Sequence, residues 1–190
     1  MTSASLTIEA LDVDVPVGTW IIDPAHSSIG FSVRHLMGKV RGTFEQLAGH
    51  MTIAAQPADC SATATIDMSS VNTANRMRDD DLRSVNFFDV DRHPEMTFES
   101  TGLSVNDGPL ELRGMLTIRG ITRDVDMEVE FLGLDETGLQ GEQRIGLSAT
   151  TTIRRSDYGV GAAAGDGQKI VVGDKITIQL DIQAMLESSL

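Results

Sequence analysis

The sequence predicts an all-β, antiparallel fold of about eight strands, with a short helical insertion between strands three and four. Three observations predict it. Apolar and polar residues alternate with the two-residue period of a strand through most of the chain. Short turns join most of the alternating runs, so successive strands should pair antiparallel. One stretch, Asp67 to Thr101, breaks the alternation with helical spacing. A strand with one apolar and one polar face suits a two-sheet sandwich or a closed barrel. Closing about eight strands leaves an interior that is filled by its own side chains or holds one slender ligand.

Residues 1–17 read as a polar, acidic, loosely ordered lead-in, and residues 18–190 as one domain. Trp20-Ile21-Ile22 begins the folded part, and Asp23-Pro24 turns the chain. In the first strand Ile29, Phe31, Val33, His35 and Met37 share a face opposite Ser28, Gly30, Ser32 and Arg34. Gly38-Lys39 is the expected turn. The second strand carries Val40, Gly42 and Phe44, then Leu47, Gly49, Met51 and Ile53 with switched parity, which a bulge near Glu45-Gln46 reconciles. Cys60, Ala62, Ala64, Ile66 and Met68 line the third strand.

The interruption follows. Asn75 to Ser84 reads as a helix, supported by the i,i+4 pairs Arg76–Asp80 and Asp79–Arg83. So short a helix needs tertiary packing, and Met77, Leu82 and Val85 are its candidate apolar edge. Asp79-Asp80-Asp81 reads as a solvated helix face, since the EF-hand pattern is absent. Phe87-Phe88 makes a bulky plug, and Pro94 holds His93 extended. The excursion is expected to lie over one end of the sheet or barrel and seal it.

Met96 to Leu103 resumes as the fourth strand, and Asn106-Asp107-Gly108-Pro109 is a turn. The fifth strand carries Leu110, Leu112, Gly114, Leu116 and Ile118. The sixth sets Val125, Met127, Val129 and Phe131 against Asp124, Asp126, Glu128 and Glu130, the cleanest alternation in the chain. Ile145 to Ile153 is the seventh strand. A Gly- and Ala-rich loop spans 154–168. Ile176, Ile178, Leu180 and Ile182 mark the eighth strand, and a frayed tail begins at Met185.

Composition excludes several functions. The formal charge is −13, from 28 acidic against 15 basic residues. That disfavours nucleic acid, whose binding needs clustered cations, and disfavours anionic membranes as a stable home. Cys60 is the only cysteine, which leaves no intrachain disulfide and reads as an inert thiol. The N-terminus lacks an apolar core and carries Glu9, Asp12 and Asp14, unlike a secretory signal. No run is apolar enough to span a bilayer. A cytoplasmic protein without stable membrane insertion is expected.

No chemistry-bearing motif stands out. His26, His35, His50 and His93 are scattered without metal-ligand spacing, so no metal and no cofactor is expected. GVGAAAG (159–165) departs from the dinucleotide-binding pattern by one residue and lacks its strand–helix–strand setting. No nucleophile is paired with a base at recognisable spacing. His35, on an apolar face, is either a satisfied core histidine or a polar handle for a ligand head group. The small inward residues Ala62, Ala64, Gly114 and Ala149 suit an open lumen and tight packing equally well.

Several ordered blocks carry a resemblance: WIIDPAHSSIGFSVRHL (20–36), GKVRGTFEQLAG (38–49), NRMRDDDLRSVNFFDVDRHPEMTFEST (75–101), LRGMLTIRGITRDVDMEVEF (112–131), IRRSDYGVG (153–161) and VGDKITIQLDIQA (172–184). Together they closely resemble the YceI-like family of polyisoprenoid-binding proteins, in its cytosolic branch. The chain departs from the family pattern at Asp81, often histidine, and at His93, often tyrosine. The resemblance implies an extended lipocalin-like antiparallel barrel of about eight strands, a lumen holding a prenyl chain or similar amphiphile, no catalytic residues, and a homodimer as the plausible assembly. The expected lumen lining is then Phe31, Val33, His35, Phe44, Leu116, Met127, Val129 and Ile178, with Phe87 and Phe88 as its cap. The leading expectation is a non-enzymatic carrier or store for a polyisoprenoid, an isoprenoid quinone or a precursor. Two others stay open: an enzyme acting on a lipid-like substrate through His35 and a nearby acid, and a stress-related protein with a filled barrel.

Overall fold

The computed structural model describes residues 5–8, 13–104, 109–138, 140–161 and 172–190. Strands β1 (Ser5–Ile8) and β2 (Val13–Pro16) pair antiparallel as a separate ribbon. The rest form one sheet: β3 (Gly18–Ile22), β4 (Ser28–His35), β5 (Gly38–Phe44), β6 (Leu47–Ile53), β7 (Ser61–Asp67), β8 (Val71–Asn72), β9 (Glu95–Ser104), β10 (Leu110–Ile118), β11 (Ile121–Asp135), β12 (Arg144–Arg154) and β13 (Val172–Leu186). The order is β12-β11-β10-β9-β7-β6-β3-β13-β4-β5-β8, and a further β12–β13 pairing closes it into a barrel.

Three staves of that barrel are bent. β3 and β4 lie end to end along one edge of β13, facing Ala184–Leu186 and Val172–Asp181 respectively. β5 with β6, and β7 with β8, continue the pattern across the next two staves. Counted this way the closed antiparallel barrel has eight staves, and the one α-helix among the described residues, α1 (Arg76–Arg83), falls between the third and fourth. The parity switch expected near Glu45-Gln46 is the bend between β5 and β6. There both backbone N–H groups donate to Ser70 Oγ at 3.1 Å.

The bends give the barrel two different ends. One end holds the β4–β5 turn, the β10–β11 turn, the start of β13 and the excursion 68–94; we refer to it as the capped end. Past Asp67 the third stave leaves β9, with Met68 N–H to Pro94 O (2.9 Å) as the last link. The excursion occupies the space between. At the opposite, closed end Trp20 is wholly buried, and its Nε1–H donates to Pro16 O at 3.1 Å. The lead-in is more ordered than its polarity suggests: Leu6 and Val15 of the β1–β2 ribbon are buried in the main core.

Gly42 and Gly114 do not leave open lumen here. A Cβ on Gly114 would lie 2.4 Å from the Phe98 ring, and one on Gly42 would lie 2.5 Å from the Phe31 ring. Each phenyl group occupies the room its neighbouring glycine leaves. The expected turn at Asn106–Gly108 lies outside the described residues, as does the stretch 162–171 of the Gly- and Ala-rich loop.

Candidate functional site

An apolar cavity of about 90 Å³ lies inside the capped end. Phe31 and Val33 of β4, Phe44 of β5 and Ile178 of β13 line one side. They point inward because the period-two alternation keeps these strand positions facing the opposite wall. Phe31 and Phe44 stack obliquely with ring centroids 5.6 Å apart, and Phe44 meets Phe88 at 6.0 Å, within the range of favourable aromatic pairs. Leu82, Phe87 and Phe88 of the excursion close the cavity from above. Thus four of the expected lining residues, and both expected cap residues, border one space.

The other expected lining residues sit elsewhere. Leu116, Met127 and Val129 are buried in the core but outside the cavity wall. His35 is exposed at the rim. It is the last residue of β4, paired with Gly38 across a two-residue turn and with Val172. Alternation turns a side chain into a lumen only while an opposite wall exists, and at the rim none does. Met37, expected on the same face, is 99 % exposed for the same reason.

The excursion also departs from expectation in detail. Asn75 caps α1, its side chain accepting from Arg78 N–H at 3.1 Å. Arg76 pairs with Asp80 at 3.9 Å as expected, but Arg83 pairs with Asp80 rather than Asp79. Asp79 is not solvated: it is buried and accepts from Thr73 N–H (2.9 Å) and Thr73 Oγ1–H (2.5 Å). Only Leu82 of the expected apolar edge turns inward, while Met77 and Val85 face solvent.

Arginines hold the cap through backbone carbonyls. Arg83 donates to Ser69 O and Val71 O, both at 2.8 Å. Arg119, in the β10–β11 turn, ties Val85 O (3.0 Å) to Gly159 O (2.5 Å). Arg155 lies in the cavity wall, and its guanidinium donates to Val160 O (2.8 Å), Gly173 O (3.2 Å) and Val172 O (3.4 Å). Its charge is therefore partnered, and the cavity surface stays apolar.

A second, open groove of about 980 Å³ lies on the flank. It exists because β11 and β12 pair only from Glu128↔Thr150 onward, so Ile121–Met127 and Thr151–Arg154 are splayed apart. Thr151 Oγ1–H donates to Asp126 O (2.7 Å) across the start of that gap. Asp124, Asp126, Glu128 and Asp157 outnumber Arg123 and Arg154 along it. Ile153 and Tyr158 belong to the walls of both groove and cavity. Burial pushes the Tyr158 phenol up to about 12, with the nearby Arg123 opposing and Asp157 assisting, so the ring is a neutral partition.

Sequence reasoning missed this partition. The run 154–161 was readable as loop because the alternation stops there, but a short 3-10 turn (Arg155–Tyr158) folds Tyr158 and Val160 back into the core. Among the described residues no group of His, Cys, Asp and Glu is arranged to hold a metal. Cys60 is half-buried, its thiol against the carbonyls of Ala54 and Gln56. No described helix is long and apolar enough to cross a membrane.

Comparisons with known proteins agree with this geometry. Residues 20–184 match the model of the YceI-like domain. A UPF0312 protein of Staphylococcus aureus is 40% identical over 142 residues, covering 73% of this chain and 80% of that protein. Among solved structures, Burkholderia cenocepacia BcnA superposes with a TM-score of 0.76 at 23% identity, covering 85% of this chain and 98% of that one. A polyisoprenoid binding domain from Saccharophagus degradans, implicated in plant cell wall breakdown, superposes at 0.66 with 16% identity, covering 90% and 99%. At these identities the two structures show the shared fold.

Proposed function

The chain belongs to the YceI-like family, and from that premise we propose that it binds a long hydrophobic chain in its barrel lumen for transport or storage. The cargo on this reading is a polyisoprenoid, an isoprenoid quinone or precursor, or a similar amphiphile. The observation that carries it is the cavity at the capped end: apolar on its lining surface, with the Arg155 guanidinium in its wall tied to backbone carbonyls, and roofed by the excursion rather than by strands. Burying an apolar chain contributes about 0.8 kcal/mol per CH₂, so such a site needs little polar chemistry. The Saccharophagus domain, described as polyisoprenoid binding, lends the cargo class by analogy of fold.

The cavity of about 90 Å³ is well below the roughly 300–1,000 Å³ of preformed ligand pockets. A long chain must therefore displace side chains. The residues able to yield are those not fixed by the barrel ladder: Leu82, Phe87 and Phe88 in the roof, and Tyr158 in the partition toward the flank groove. The setting on this reading is cytoplasmic, with a homodimer as the expected assembly.

One observation favours a second reading, a structural or stress-related protein with a filled barrel. The Phe31 and Phe98 rings already occupy the room beside Gly42 and Gly114. Mass spectrometry of the organic extract from natively purified protein separates the two. A stoichiometric prenyl lipid or quinone is expected, and it names the cargo. A clean extract, repeated after incubation with a panel of prenyl lipids, overturns the carrier.

A further inference from the structure

The hairpin formed by β4 and β5 carries three local costs at once. Its two-residue turn is Leu36-Met37, 62 % and 99 % exposed. Leu36 holds φ +52, a conformation that glycine or asparagine adopts with least strain. On the outer face Arg34 stands directly opposite Lys39 in the ladder, with Arg41 two residues on, and like charges paired across strands repel. Among the described residues the side chains of Arg34, Lys39 and Arg41 form no ion pair and no hydrogen bond. That contrasts with Arg83, Arg119 and Arg155 at the same end, each spent on backbone carbonyls.

One environment relieves two of these costs, the exposed apolar turn and the like-charge pair. An anionic bilayer surface offers phosphates to the cations and an apolar interface to the turn. We infer that the β4–β5 hairpin docks this protein reversibly on anionic lipid bilayers, with Leu36 and Met37 entering the interface and Arg34, Lys39 and Arg41 meeting lipid phosphates. The net charge of −13 is spread over both ends, with Asp80, Asp81 and Asp174 at the capped one, so docking rests on the local cluster of three cations at the hairpin.

The hairpin is also continuous with the cavity, since Val33, one turn below the tip, is in the cavity wall. The inference thus deepens the carrier reading by naming where a hydrophobic chain passes between bilayer and lumen. Its test does not depend on cargo.

The full chain is sedimented with vesicles of phosphatidylglycerol and phosphatidylcholine, and with vesicles of phosphatidylcholine alone. Binding to the anionic vesicles alone, weakened by salt, is expected. The triple variant R34Q/K39Q/R41Q is expected to lose about a hundredfold in partitioning, at about fivefold per cation. Leu36→Asn with Met37→Gly, which suits the turn better, is expected to lose about tenfold while raising the unfolding midpoint. Met37→Trp gives a reading on a folded, unimpaired chain: its emission should shift to the blue on anionic vesicles. A wild-type chain that stays in the supernatant, variants that sediment like it, or an unshifted Met37→Trp spectrum overturns the inference and leaves the apolar tip to a protein partner. Cargo in the organic extract without vesicle binding overturns docking alone. Vesicle binding with a clean extract overturns the carrier alone.

Discussion

The two ends of the barrel use the same residue types for opposite purposes. At the closed end Arg144 sits between two buried carboxylates, donating from Nη1 to Asp23 Oδ2 (2.8 Å) and from Nε to Glu142 Oε1 (2.6 Å). His26 Nδ1 completes the cluster at 2.8 Å from Asp23. The network locks the β3–β4 bend to the start of β12 beside the wholly buried Trp20. At the capped end Arg83, Arg119 and Arg155 are spent on backbone carbonyls, Arg34, Lys39 and Arg41 form no ion pair among the described residues, and Leu36, Met37, Met77 and Val85 face solvent. The contrast teaches that charge is structural where both partners are buried, and available for recognition where one partner is missing. On the proposed reading, stability rests chiefly on the closed end and binding on the capped one.

The strongest way to break that comparison is Trp20→Ala. Removing a wholly buried indole should lower the unfolding free energy by about 3–5 kcal/mol, read from urea titrations. The fraction that remains folded should bind a fluorescent prenyl probe as the wild type does. Lost binding with unchanged stability would place function at the wrong end.

Acid provides the next largest effect. The Arg144 guanidinium holds Asp23 down to about 2, with help from His26 and against its burial. It likewise holds Glu142 at about 2. Both lie below their ordinary values of 3.8 and 4.5. A depressed carboxylate contributes stability that is fully present above its unfolded pKa and is lost as pH falls toward its folded one. Stability should therefore decline between about pH 4.5 and pH 2, and Arg144→Gln should move the acid transition, followed by circular dichroism, to higher pH. An unmoved transition would show that the network does not lock the bend.

Phe88→Ala sharpens the comparison from the capped side. The ring is half-buried and meets Phe44, so the cost should be about 1–2 kcal/mol, below the full core range. The cavity beneath it should widen, and uptake of an apolar fluorescent probe should rise. Unchanged uptake would mean that the roof is not the yielding element.

Much of this fold was legible in the sequence, and the reasons are local. Strands such as Val125 to Phe131 alternate because one face meets core and the other water, so period two reports the barrel directly. The switch at Glu45-Gln46 showed as a change of parity, which is what a bend does to a strand. The site was half legible. Phe31, Val33, Phe44, Ile178, Phe87 and Phe88 follow from alternation and bulk, and all border the cavity. Leu116, Met127 and Val129 follow from the same alternation but lie in another layer of the barrel, because period two gives the face and not the height. Tyr158 left no periodic signal, since a single 3-10 turn brings it inward. The β1–β2 ribbon was hidden by its acidic residues, though Leu6 and Val15 anchor it in the core.

The smallest effect is the most discriminating. His35 is exposed on the rim beside Val172. His35→Ala should change stability by less than about 0.5 kcal/mol, as at other surface sites, and should leave the amount of cargo per chain within about twofold, because apolar burial rather than this ring holds the chain. An enzyme that used His35 as acid or base would lose turnover by about 10²–10⁴ under the same change. Measuring cargo in the organic extract together with product formation on a lipid-like substrate therefore asks which contribution His35 makes, through a substitution that leaves the barrel intact. Retained cargo without any turnover to lose fits an incidental His35, and places the work of the capped end in the apolar cavity.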